Sequence, residues 1–542
     1  MNHLSALDCA VFSLYFIIVS AYGYYIYRSK RKKKADTKDY FLAEGSLTWW
    51  AIGASIIASN ISAEHFIGMS GSGFAMGLAI ASYEWMAAAT LIIVAVFFLP
   101  IYLKNKIYTM PQFLSTRYND TVSTLMAVFW LLVYVFVNLT SIFFLGAIAI
   151  ETITGIPFNY CIVFLAIFSA IITLGGMKVI GYTDVIQVFV LVIGGLITCY
   201  MALQLVSEKL HVNTVLGALP LLRSEAADHF HMIFSKGDKF YNELPGVAVL
   251  VGGLWINNLN YWGCNQYIVQ RALGADLKTG RSGLIFAAFL KLLVPLIVVI
   301  PGIAAFVLYQ KGYFHAEMLD SSGILKPDHA YPVLMNLLPV GIKGLAFAAL
   351  TAAIVASLAG KSNSIATIFT LDIYKKYIQP DASETRLVRV GRWSVVAASL
   401  VAIIVAPALR SFDQLYQFIQ EYVGFISPGV FAIFLLGFFW KRTTSRAALF
   451  AAVLTIPLSV LFKFLPVLTA GRISEIPFLH RMSLVFMTII IMMIIITLSD
   501  SKSKNNPQGL EIDSRMFKVS AGFMVSSMMI IGIMAALYTI FW

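Results

Sequence analysis

Apolar residues run along this chain in blocks long enough to cross a bilayer, and the polar residues that interrupt them are few. A helix needs roughly 17–25 apolar residues to span the hydrocarbon. Blocks of that kind fall near 7–27, 47–73, 78–103, 123–150, 158–174, 183–205, 246–270, 284–309, 344–371, 391–409, 412–440, 446–463, 480–498 and 519–541. A backbone in lipid must satisfy its own N–H and C=O groups, so these blocks predict fourteen transmembrane helices and an all-α membrane protein. Two longer connections, 206–245 and 310–332, predict caps with short helices. The first carries Asp228 and the His229-x-His231 pair, read as solvated loop residues rather than a metal site.

Composition agrees with the pattern. The 542 residues are 59% hydrophobic and 12% charged, with a mean hydropathy of +0.82, whereas soluble domains hold about 25% charged residues. The 39 Lys and Arg exceed the 27 Asp and Glu to give +12, a balance that in a soluble domain would suggest nucleic acid. Here no nucleic-acid partner is expected, because the charges follow topology. No basic residue precedes the first block, and Arg28, Lys30, Arg31, Lys32, Lys33, Lys34 and Lys38 follow it, which puts the N-terminus outside. Threading onward puts most Lys and Arg in cytoplasmic loops and both termini outside a multi-pass cell (inner) membrane protein. Cys9, Cys161, Cys199 and Cys264 lie in or beside apolar blocks and form no CxxC pair or disulfide framework. An enzyme is not expected: HExxH, GxSxG and Walker A are absent, and the GKS at 360–362 has Val355 where the first glycine of that motif would stand.

Polar groups inside a span mark function, because lipid does not tolerate them. The second block, AIGASIIASNISAEHFIGMSGSG (51–73), gathers Ser59, Asn60, Ser62, Glu64 and His65 at its middle, and a helix unwound there exposes carbonyls for ions and solute. The seventh, VAVLVGGLWINNLNYWGCNQY (247–267), again sets glycines before polar residues: Asn257, Asn258, Asn260, Asn265 and Gln266. Spans two and seven are five apart and cross in opposite senses. That is the pattern of two inverted five-helix repeats, each opening with a broken helix, in a secondary transporter rather than a channel. Glu84, Asp184, Lys291, Gln420 and Glu421 fall in the same core, among Tyr83, Trp85, Tyr261, Trp262 and Tyr416. Amides, carboxylates and a lysine among aromatic faces suit a small neutral polyhydroxylated solute such as a sugar. In the ninth block (344–369), Ala353, Ser357 and Lys361 recur every four residues on one face, amid small and hydroxylated neighbours that offer hard oxygens to a sodium ion or close packing to another helix.

The runs ASNISAEHFIGMSGSG (58–73), IASYEWM (80–86), GYTDVIQVF (181–189), GGLWINNLNYWGCNQYIVQR (252–271), IFAAFLK (285–291) and QFIQEYVGFISPG (417–429) closely resemble the solute:sodium symporter family, nearly end to end. The resemblance implies a leucine-transporter-like core of ten helices with four accessory ones, alternating access, and uptake of a neutral hexose coupled to sodium. It divides the chain into an accessory helix and basic loop (1–40), a first repeat (41–205), an extracellular loop (206–245), a second repeat (246–440) and three accessory helices (441–542). Carried over position by position, it implies a sugar site of His65, Glu84, Asn258, Lys291 and Gln420, with Tyr261 as the stacking inner gate and Tyr83, Met69 and Tyr416 lining the pocket. Bacterial galactose-type members carry glutamine and serine where this chain has His65 and Ala87, and animal glucose-type members resemble it at both, so glucose and galactose are both expected substrates. For sodium it implies the carbonyls of Ala58, Ile61 and Ala353, the hydroxyl of Ser357, and Asp184 on the ion's exit route. The family has two consecutive serines on the ninth span, and here the first is Ala356. Lys361 stands one turn, about 5–6 Å, from Ser357, and either repels sodium or stands in for it. The rival reading is a sodium-independent or proton-coupled sugar permease with Lys361 as ion surrogate. Nothing in the sequence sets an oligomeric state.

Overall fold

The computed structural model describes residues 4–29, 41, 47–173, 176–319, 323–411, 415–504 and 506–542. The basic run from Lys30 to Lys38, used above to orient the N-terminus, lies outside them. Among the described residues every extended element is helical. Ten helices among these residues are long and apolar enough to cross a membrane, and eleven if the bent pair Leu415–Val423 and Ser427–Phe439, whose axes differ by 43°, is one span.

The blocks expected as the second, fifth and seventh spans take other forms. The second is Trp49–Asn60, then a π-helical turn Glu64–Met69, then Ser70–Met76. The fifth is a single helix of 16 residues, Phe158–Thr173. The seventh is split into Ala248–Val251, Gly253–Gly263 and Gln266–Leu273. After Met76 the chain turns at Gly77, whose φ of +74° is in the left-handed region. A Cβ there would lie 2.2 Å from the carbonyl oxygen of His229, so both conformation and space call for glycine.

His229 departs from the solvated reading of its loop. Its ring stacks on Phe306 at 3.8 Å, and its Nε2 donates to the Phe74 carbonyl at 3.0 Å. His231 turns away to the Trp542 carbonyl, so the pair closes the cap over the helices.

Ile342–Ile368 is the axis of the bundle. In its span 89% of the apolar window is buried inside the protein, against 17% in the last helix, Ala521–Ile540, which therefore turns its side chains to lipid. Helix Leu277–Gln310 packs along Trp49–Asn60, Ser70–Met76 and Ser82–Ile93, while Met177–Lys209 packs between Ile342–Ile368 and Trp49–Asn60. The first broken helix is thus enclosed by protein on both sides of its break, as non-helical backbone at membrane depth requires.

Helix Ser427–Phe439 ends on a buried cation. Arg117 donates from Nε to the Gly437 carbonyl (2.8 Å), from Nη1 to Thr443 (3.1 Å) and from Nη2 to Trp440 (3.0 Å), satisfying carbonyls left over at a helix C-terminus where positive charge is favoured. Arg117→Met should lower the melting temperature of the purified protein. Hydrogen bonds to a charged donor are worth about 1.5–3 kcal/mol each, so the loss is expected to exceed that of a typical core substitution, and an unchanged melting temperature would count against the anchor.

Candidate functional site

The first helix breaks without glycine. Ile61 is extended (φ −70°, ψ 126°), and Ser62 restarts the helix. Its hydroxyl accepts from the Glu64 N–H at 3.2 Å and its carbonyl from the His65 N–H at 3.1 Å, as a small hydroxylated residue does at a helix start. Gly68, Gly71 and Gly73, just beyond the break, stay helical. The second broken helix does use glycine: Gly252 (φ −121°, ψ −130°) opens it. It breaks again at Cys264 and Asn265, where the Tyr134 hydroxyl donates to the Asn265 side chain and accepts from the Gln266 N–H.

Between the two broken helices lies a cavity of about 90 Å³. It brings together His65, Tyr83, Glu84, Asn258, Tyr261, Tyr416 and Gln420 from the expected solute site. Lys291 and Met69 are buried but do not line it. Lys291 stands behind the wall, where its ammonium donates to Glu84 and to the Asn60 side chain and lies 5.0 Å from the Trp262 ring. The His65 Nε2 faces the other Glu84 oxygen at 3.4 Å. The Ser62 N–H donates to His65 Nδ1, which assigns the ring proton to Nε2 and directs it at the carboxylate. Asn60 continues the chain of contacts by donating to the Tyr261 hydroxyl at 2.8 Å. Trp262 donates to Asn258 at 3.1 Å, and Gln420 to the Tyr416 hydroxyl at 3.2 Å. Tyr416 meets Tyr83 and His65 edge-on.

The residues expected to hold sodium lie one layer deeper. Ala58, Ile61, Ala353 and Ser357 are all fully buried, and the Ser357 hydroxyl donates to the Ser59 carbonyl at 3.0 Å across the break. Asp184 has other partners: it accepts from Ser55 at 2.5 Å and stands 4.0 Å from Arg271. Arg271 also donates to the Ser55 carbonyl, tying the second broken helix to the first on the far side of that layer.

Two residues matter here that the sequence reading noticed as polar but assigned no role. Asn60 bridges Lys291 to Tyr261. Glu64 lines the cavity, accepts from Ser141 at 2.5 Å and from Ser62 at 3.2 Å, and lies 4.0 Å from Lys361. Glu64 and His65, consecutive in the π-helical turn, serve different partners, and no periodicity in the sequence announces that turn.

The family model described as the sodium:solute symporter family matches residues 40–455. The chain is 46% identical over 99% of its length, and 99% of the relative's, to a sodium/glucose cotransporter of Vibrio parahaemolyticus. It is 36% identical to a mouse sodium/myo-inositol cotransporter 2, covering 82% of this chain and 68% of the relative. Among solved structures, a sodium-coupled sialic acid symporter in a substrate-bound outward-open state matches with a TM-score of 0.75 at 22% identity, over 92% of this chain and 98% of that one. A nucleobase-cation-symport-1 family transporter matches with a TM-score of 0.51 at 14% identity, over 90% and 99%. At these identities the structural likeness concerns the fold alone.

The Glu84 and Lys291 charges depend on one another. Removing one partner of a buried pair costs about 3–5 kcal/mol, whereas removing both is far milder. Glu84→Gln or Lys291→Met alone should therefore lower the melting temperature more than the double variant does. Additive losses in that cycle would show that the pair is not coupled.

Proposed function

The chain belongs to the sodium:solute symporter family, and on that premise we propose that it couples inward sodium flow to uptake of a neutral hexose, galactose or glucose, by alternating access. It is a sodium-coupled solute symporter and not an enzyme. The hexose reading is carried by the charge balance of the cavity wall. Glu84 is neutralised by Lys291, and Glu64 faces Lys361. The solute therefore meets the amides of Asn258, Asn260 and Gln420 and the faces of Tyr261, Tyr416 and Tyr83. A carboxylate or ammonium on the solute would find no uncompensated partner, whereas sugar hydroxyls find donors and acceptors and the ring's C–H face finds an aromatic surface. The relatives named for glucose and for myo-inositol support a cyclic polyol.

In this reading the chain has fourteen spans. A leucine-transporter-like core of two inverted five-helix repeats begins at the first broken helix and ends with the bent pair, and both termini lie outside the cell (inner) membrane. The broken segments at spans two and seven support that arrangement. Sodium binds between the break at Ile61 and the helix bearing Ala353 and Ser357, holding the outward state. It drives coupling because its affinity differs between the two states. Asp184, beside Ser55 and Arg271, attracts the ion on its way inward. Tyr261, held by Asn60, is the inner gate and swings away before release.

In proteoliposomes, an inward sodium gradient should concentrate labelled galactose or glucose, and uptake unaffected by sodium would sink the coupled reading. Excess myo-inositol should compete weakly and glucuronate not at all; strong competition by myo-inositol would move the substrate from hexose to cyclitol. Tyr261→Ala should reduce gradient-driven uptake by about tenfold or more, equivalent to about 1.4 kcal/mol. Full activity would remove it from the gate.

A further inference from the structure

Lys361 neither lines the solute cavity nor belongs to the sodium ligands, yet it is fully buried, faces Glu64 and lies on Ile342–Ile368 one turn beyond Ser357. Its ammonium donates to the Ser357 hydroxyl at 2.9 Å, which itself donates to the Ser59 carbonyl in the last turn before the break. The Ser59 hydroxyl is buried without a hydrogen-bond partner among the described residues. It faces the neighbouring Gly360, where a Cβ would stand 2.7 Å from it. A positive charge thus rests against the oxygen expected to bind the coupling ion, and the residue that accepts from that oxygen carries an unpartnered hydroxyl of its own.

An ammonium and a sodium ion seek the same hard oxygens, and two cations a few ångströms apart repel strongly in a medium of low dielectric. One of them has to yield. Lys361 has somewhere to go: Glu64 Oε2 lies 4.0 Å from its Nζ, so a small change in a flexible four-carbon stem closes the gap to a contact pair. The Tyr267 ring, 5.1 Å from the ammonium, flanks it with a cation-binding face. Glu64 is also part of the cavity wall, so whatever happens to its charge is felt by the solute.

We propose that Lys361 is a tethered cation that competes with sodium for the Ser357 oxygen, and that sodium enters as the ammonium moves from Ser357 onto Glu64. The proposal rests on the reading that sodium is held between the first broken helix and Ile342–Ile368. It adds a route from ion to solute. Sodium takes the seat, the lysine neutralises Glu64, and the cavity wall then holds two closed ion pairs instead of one. In the sodium-free protein the lysine bridges the break in the ion's place.

The test is binding of radiolabelled sodium to the purified protein, without solute. Lys361→Met should lower the half-saturating sodium concentration about fivefold or more, within the usual range of coupling between ligands. Glu64→Gln, which removes the lysine's second seat, should raise it. The double variant Lys361→Met with Glu64→Gln removes both charges and is the reading to use if the single lysine variant does not fold; it should bind sodium at least as tightly as the unchanged protein. Unchanged or weaker sodium binding in the folded Lys361→Met variant, or weaker binding in the folded double variant, would overturn the exchange. Sodium-driven hexose uptake by the unchanged protein is measured separately. Intact uptake together with no gain in sodium affinity rejects the exchange and leaves the symporter reading standing, whereas a gain in affinity without hexose uptake supports the exchange and rejects the hexose.

Discussion

A helix that stops in the middle of a membrane has to be surrounded by protein, and the arrangement of this molecule follows from that. The break at Ile61 leaves backbone groups that lipid cannot satisfy, and side chains from within the protein gather around it. Ser62 caps the restarting helix, Ser357 reaches the Ser59 carbonyl, and Arg271 reaches the Ser55 carbonyl from the second broken helix. The same enclosure keeps Ile342–Ile368 buried along most of its length and sends the apolar surface of the last helix outward. The carbonyls and hydroxyls that satisfy the broken backbone are also the oxygens at which the sodium site is proposed.

Enclosure also raises the stakes of charge. Buried ions must be paired, and the pairs found here join segments distant in sequence: Glu84 with Lys291, Arg271 with Asp184, Glu64 with Lys361. Each links one inverted half of the expected core to the other, so none survives a large relative movement of the halves unchanged. The charge balance of the cavity wall and the ties between distant segments are two consequences of one wiring.

Much of the site was legible because lipid makes polar residues conspicuous. Ser59, Asn60, Glu64 and His65 stand out in an apolar run, as do Glu84 and Lys291, and the repetition at residues 247–267 points to a second broken segment. The details were not legible. The break uses Ser62 rather than the glycines a few residues on, because a hydroxyl that caps a helix start is as effective as a flexible residue and leaves no distinct periodicity. Lys291, expected to touch the solute, stands behind Glu84. Asp184, expected on the ion's exit route, meets Ser55 and Arg271. Side-chain partners brought in from other helices decide such questions, and a linear pattern does not contain them.

The amino-acid order by itself determined that this is a helical membrane protein with interrupted spans and a small store of intramembrane charge, because hydropathy and the cost of unsatisfied backbone act locally along the chain. Only the tertiary structure decided which charge meets which. Glu64 acquires its importance from Ser141 on one side and Lys361 on the other, residues 77 and 297 positions away in the sequence. Electrostatic energy depends on distance in space and on the exclusion of water, and both exist only after the helices have packed.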